Sequence, residues 1–169
     1  DVLYNTRGKR IGHGCFGKVY ETTLPEEKDR PEMKCAIKVI EQDTFDKKKF
    51  FKEIECQASM KHNAIMPLVG FSVPSGEDNN FSILTPFMPN GSLREKLNKV
   101  KQSQAPENWE TIKAFVVFGV AAGMAYMHQH GIFYKDLKPD NILFDENFHP
   151  KIYNFGVIEY LKLGETMPS

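Results

Sequence analysis

Gly12-His13-Gly14-Cys15-Phe16-Gly17-Lys18-Val19 sets three glycines close together, and backbone amides without neighbouring Cβ atoms can close around an anionic ligand. Lys38 follows Gly17 by 21 positions within Met33-Lys34-Cys35-Ala36-Ile37-Lys38-Val39-Ile40. Period-two alternation puts Lys38 on one strand face with Ala36 and Ile40, opposite Cys35, Ile37 and Val39, so a cation stands among apolar neighbours. Glu53 lies three positions after Phe50 and one before Ile54, at the edge of a helix's apolar face, and Lys38 is the cation within reach. Each feature has a plainer alternative: the glycines a tight hairpin turn, Lys38 a solvated lysine. A strand rather than a helix follows the glycines, which counts against a dinucleotide fingerprint.

The elements that must position these residues follow from periodicity. Lys18–Thr23 and Met33–Ile40 read as an antiparallel hairpin whose long, charged tip runs from Pro25 to Pro31. Phe50, Ile54 and Ala58 recur every four residues and predict an amphipathic helix over Asp46–Met60. Leu68–Val73 and Phe81–Thr85 read as two further strands around a polar turn. Ser92-Leu93-Arg94-Glu95 has capping-box spacing and predicts a short helix. The longest periodic segment, Trp109–His130, carries Ile112, Phe115, Val116, Val120, Met124 and Met127 on one broad face and predicts a helix stopped by Gly131. Short pieces follow at Asn141–Phe144 and Lys151–Tyr153. The change from strand-rich to helical pattern falls near Pro86–Asn90, where a cleft is expected, and no internal repeat or low-complexity tract interrupts the chain.

Composition sets the class. With 169 residues, 41% of them apolar, the chain can bury a core as one domain or two small lobes. Its 22 basic and 22 acidic residues leave no net field for nucleic acid or an anionic membrane, so neither is an expected partner. Cys15, Cys35 and Cys56 are odd in number and lack zinc-site spacing, which points to a reducing, cytoplasmic setting; Cys15 is the thiol most open to electrophiles. His13, His62, His128, His130 and His149 show no metal spacing. No uninterrupted apolar run reaches bilayer length, the start has no signal-peptide character, and the absent initiating Met suggests a fragment.

The glycine-rich loop, Ala36-Ile37-Lys38 and the helix glutamate together resemble the opening signatures of the protein kinase family. Tyr134-Lys135-Asp136-Leu137-Lys138-Pro139-Asp140-Asn141 resembles the family's catalytic loop, and Asn154-Phe155-Gly156 its metal-binding Asp-Phe-Gly motif. Lys138-Pro139 is similar to serine/threonine kinases, and Met88-Pro89-Asn90-Gly91-Ser92-Leu93 to the tyrosine-kinase-like group. The resemblance covers the whole chain. It implies an α+β, protein kinase-like fold: a small antiparallel sheet lobe with one helix over 1–88, and the first part of a mainly helical lobe over 89–169.

Carried over by motif, the resemblance implies that Gly12, Gly14 and Gly17 cover the phosphates of ATP, Lys38 contacts them and Glu53 positions Lys38. Ile11 joins the nucleotide-binding positions, and Val19, Ala36 and Leu143 sandwich the base. Thr85 is the gatekeeper, and Pro86 and Met88 offer their carbonyl and amide to adenine. Asp136 accepts the substrate hydroxyl proton, Lys138 neutralises the moving phosphoryl group, and Asn141 and Asn154 take the magnesium positions.

Several residues depart from the family pattern. Asn154 replaces the metal-binding aspartate; magnesium prefers charged oxygen, and a loss of about 3 to 5 kcal/mol in the transition state slows transfer by roughly 10² to 10⁴. Tyr153, at a position usually small, either crowds ATP or turns away. Tyr134 stands for histidine and Lys135 for arginine; lysine keeps charge but not the bidentate fork, which weakens control through a phosphosite such as Thr166 or Ser169. The chain stops within the activation segment, so the long helix is expected to expose apolar surface. The expected function is ATP-dependent transfer to protein Ser or Thr, impaired. The alternatives are a nucleotide-binding pseudokinase that regulates or scaffolds a partner, and a gene fragment without a stable fold.

Overall fold

The computed structural model describes residues 8–14, 17–40, 46–74 and 80–160; Cys15, Thr166 and Ser169 lie outside them. Five antiparallel strands form the main sheet in the order β1-β2-β3-β5-β4: β1 Arg10–Gly14, β2 Gly17–Leu24, β3 Met33–Ile40, β4 Gly70–Ser72 and β5 Phe81–Pro86. The β2–β3 hairpin forms as its alternation predicts, with Val19 opposite Lys38 and Glu21 opposite Ala36. One face of β3 buries Cys35, Ile37 and Val39 with Leu84. On the other, Ile40 and Ile83 pack against Phe50 and Ile54 of helix α1, Lys47–Ser59. Phe50 and Phe81 meet edge to face at 5.0 Å between ring centres.

Two further helices follow. In α2, Leu93–Lys101, the Ser92 hydroxyl accepts from Glu95 N while Ser92 N donates to the Glu95 carboxylate, the reciprocal cap its sequence predicts. In α3, Trp109–Gln129, Ile112, Gly123 and Met127 are buried, Val116 and Val120 partly so, and Gly131 follows with φ 68°. Phe115, expected on the inner face, is exposed, because the buried stripe centres on Ile112, Gly123 and Met127. By length and composition α3 is apolar enough to cross a membrane; an uninterrupted apolar run misses this because Glu110 and Lys113 break it.

Four three-residue strands complete the fold: β6 Ile132–Tyr134 pairs with β9 Ile158–Tyr160, and β7 Ile142–Phe144 with β8 Pro150–Ile152. The chain divides into two compact units, Asp1–Ala58 with Pro67–Phe87, and Ser59–Met66 with Met88–Ser169. Ser59–Met66 belongs to the second because Ile152 N donates to Ala64 O and Met66 N to Ile152 O, both at 2.8 Å.

Candidate functional site

In the first unit, cross-strand register brings the expected nucleotide residues onto one sheet face. Val19 is opposite Lys38, Ala36 opposite Thr85 and Lys38 opposite Ile83, and directly opposed residues of antiparallel strands project to the same side. Lys38 Nζ lies 3.5 Å from Glu53 Oε1 on α1, with the two side chains 18% and 9% exposed. Such a semi-buried pair holds the lysine head in place, and losing one partner would leave the other charge desolvated. Gly12 and Gly14 lie in β1, paired with Val19 and Gly17, and Ile11 beside them is exposed. Gly17 has φ 146°, and a Cβ there would sit 2.0 Å from Val39 O, so the turn admits glycine alone.

In the second unit, Asp136, Lys138, Asn141 and Asn154 form one hydrogen-bonded chain. Lys138 Nζ donates to Asp136 Oδ1 at 2.9 Å and Oδ2 at 2.7 Å. Asn141 Nδ2 donates to Asp136 O and to Asp136 Oδ2, both at 2.8 Å. Asn154 Nδ2 donates to Asn141 Oδ1 at 3.4 Å. The Lys138 ammonium, bonded to the Asp136 carboxylate, holds that carboxyl below its ordinary range; partial burial opposes the effect and the Asn141 amide reinforces it. Asp136 is therefore ionised at neutral pH. Leu143 is half-buried in β7 and bridges to Ser92, and Met88 O accepts from Gly91 N.

The motif departures also have structural partners. Tyr134 is buried; its hydroxyl donates to Tyr153 O at 2.7 Å, and its ring meets Phe155 edge on at 5.7 Å. Tyr153 N donates to Asn141 O, so both main-chain groups of Tyr153 are fixed. Lys135 forms an ion pair with Glu159 of β9. Arg94, which the sequence marks only as part of a capping box, grips Asp140 through Nε and Nη2 and draws α2 to the catalytic-loop segment. Their spacing of 46 residues leaves no periodic sign of that contact.

A family model described as protein tyrosine and serine/threonine kinase matches residues 6–167, and the chain belongs to the protein kinase family. It is 35% identical over 162 residues to a probable LRR receptor-like serine/threonine-protein kinase of Arabidopsis thaliana, covering 92% of this chain and 25% of that protein. A probable serine/threonine-protein kinase of the same plant is 32% identical over 162 residues, with 92% and 37% covered. The LRR receptor kinase SERK2 of Oryza sativa subsp. japonica is 30% identical over 161 residues, with 92% and 25% covered. The chain thus spans well under half the length of these relatives.

The family generally uses a divalent metal with ATP. Here the residues at its positions do not fit one well. Asn141 and Asn154 present neutral amides, and the Asn141 oxygen already accepts a hydrogen bond from Asn154. Among the described residues no three His, Cys, Asp or Glu side chains cluster to hold a metal ion. A hard cation seeks charged oxygen, and the carboxylate bonded to Asn141, that of Asp136, is also held by Lys138.

Proposed function

We propose that the chain is the nucleotide-handling part of a serine/threonine protein kinase domain, with phosphoryl transfer from ATP to a protein hydroxyl impaired by Asn154. The observation that carries this reading is the Asp136-Lys138-Asn141 network, which keeps a carboxylate ionised beside a lysine head. In it Asp136 orients the substrate hydroxyl and takes its proton, while Lys138 offsets charge on the transferring group. Lys38, braced by Glu53, contacts the phosphates beneath Gly12, Gly14 and Gly17. Val19, Ala36 and Leu143 enclose the base, Ile11 and Thr85 border it, and Met88 donates its amide. The buried thiols Cys35 and Cys56 suit a reducing, cytoplasmic compartment.

A second reading, a pseudokinase that binds nucleotide and acts on a partner through the position of α1, is favoured by the amide pair at Asn141 and Asn154. Thermal-shift titration with ATP separates these from a chain that binds nothing. Stabilisation by ATP that disappears in Lys38→Met supports a nucleotide site, and no shift points to Tyr153 filling the pocket. Phosphotransfer to a Ser/Thr peptide, slow in the wild type and faster by roughly 10² in Asn154→Asp, supports the impaired enzyme. An unchanged rate in that variant removes Asn154 as the limiting residue.

A further inference from the structure

We infer that the Asn154 side-chain amide stands in for a divalent cation, so that this site is closed by a hydrogen bond where its family uses a metal, and nucleotide binds it without one. The argument begins with Asn141, which is buried. Its Nδ2 faces two acceptors, Asp136 O and Asp136 Oδ2, and two acceptors fix which end of the amide is nitrogen. Asn141 Oδ1 is thereby turned toward residue 154. A carboxylate at 154 would bring two acceptors together at about the observed 3.4 Å with no proton between them, an arrangement that calls for a cation. Asparagine resolves it from within: Asn154 Nδ2 supplies the positive end of a dipole to the oxygen that would otherwise seek metal.

The backbone admits asparagine here, as it would aspartate. Asn154 has φ 71° and ψ 68°, in the left-handed region that asparagine enters more readily than most residues. Its neighbour Phe155 is fully buried, and Tyr134 holds the carbonyl of Tyr153. The Asn154 amide is therefore presented by a segment fixed on both sides.

The inference deepens the nucleotide-binding reading but has an arm that does not depend on it. Manganese binding to the wild-type chain is measured by electron paramagnetic resonance, and thermal midpoints are taken in EDTA and in excess manganese for wild type, Asn154→Asp and Asn154→Ala, all without nucleotide. The wild type is expected to bind no manganese and to keep its midpoint. Asn154→Asp is expected to melt lower in EDTA and to recover with manganese, whereas Asn154→Ala, lacking both donor and charge, melts lower and does not recover. In a second arm, wild-type affinity for ATP is compared in EDTA and in magnesium, with less than a threefold difference expected. Stoichiometric manganese on the wild type, equal behaviour of the two variants, or tenfold tighter ATP binding in magnesium would overturn the inference. Loss of ATP binding in both buffers would overturn the nucleotide reading and with it the metal-free binding inferred here, while the manganese measurement would still decide whether Asn154 closes the metal position. Should Asn154→Asp fail to fold in EDTA, wild-type manganese binding decides the matter.

Discussion

Asp136 and Asp145 are both held below the ordinary carboxylate range, by different means. For Asp136 the Lys138 ammonium dominates, and the side chain remains 30% exposed. Asp136→Asn should leave ATP-induced stabilisation intact and lower any phosphotransfer by about 10² or more, since it removes the proton acceptor but not the nucleotide contacts. For Asp145, burial pushes the carboxyl up, but the His149 and Asn147 amides and the Lys151 ammonium outweigh it. A depressed folded-state pKa contributes stability that is full above the unfolded value, about 3.9, and is lost as pH falls through the folded value. Asp145→Asn should therefore cost about 1 to 3 kcal/mol at neutral pH and flatten the decline of stability below pH of about 4, as read by urea midpoints across that range. Much of the site could be read from the sequence, because Lys38, Glu53, Asp136, Lys138 and Asn141 sit in ordered motifs and Lys38 and Glu53 also sit at telling positions on strand and helix. The Asn154–Asn141 bond could not, because which end of an amide faces which neighbour is settled by contacts outside any motif.

At the level of elements, α2 and α3 make contrasting demands. Removing the Ser92 hydroxyl as Ser92→Ala breaks one half of the reciprocal cap and should destabilise the second unit by about 1 kcal/mol, seen as a lower denaturant midpoint with unchanged slope. In α3, a Cβ on Gly119 would meet Pro150 Cγ at 2.6 Å, whereas one on Gly123 would meet the tip of Ile152 at 3.0 Å. Alanine gains about 1 kcal/mol in helix propensity at either site. A rigid proline ring cannot yield as an isoleucine tip can, so overpacking of about 1 to 3 kcal/mol should make Gly119→Ala destabilising and Gly123→Ala near neutral. Equal effects on the two midpoints would count against close packing of α3 on β8. The hairpin, α1, α2 and α3 were legible because each sustains a period or a cap over many residues. Strand β1 was hidden by its glycines. The β6–β9 pair was hidden because three residues set no period and the partners are joined only through the intervening loop.

Across the whole molecule, the outer side of α3 is the largest exception to apolar burial among the described residues: Val117 is 64% and Phe118 77% exposed. Apolar side chains standing together in water promote association. Val117→Lys with Phe118→Glu should leave the unfolding midpoint nearly unchanged, because little packing is lost, and should reduce light scattering and dye binding at high protein concentration. Unaltered scattering would place the adhesive surface elsewhere.

The strap from Ser59 to Met66 also bears on how such a chain can be recombined. Its main-chain bonds to Ile152 mean that the helical half is not written in one continuous stretch of sequence. A chimera spliced after Phe87 would set a foreign strap against a native Ile152, while a graft that carried Ser59–Met66 along with the later residues would keep that seam intact. Shuffling among relatives should therefore succeed with two crossovers around the strap more often than with one.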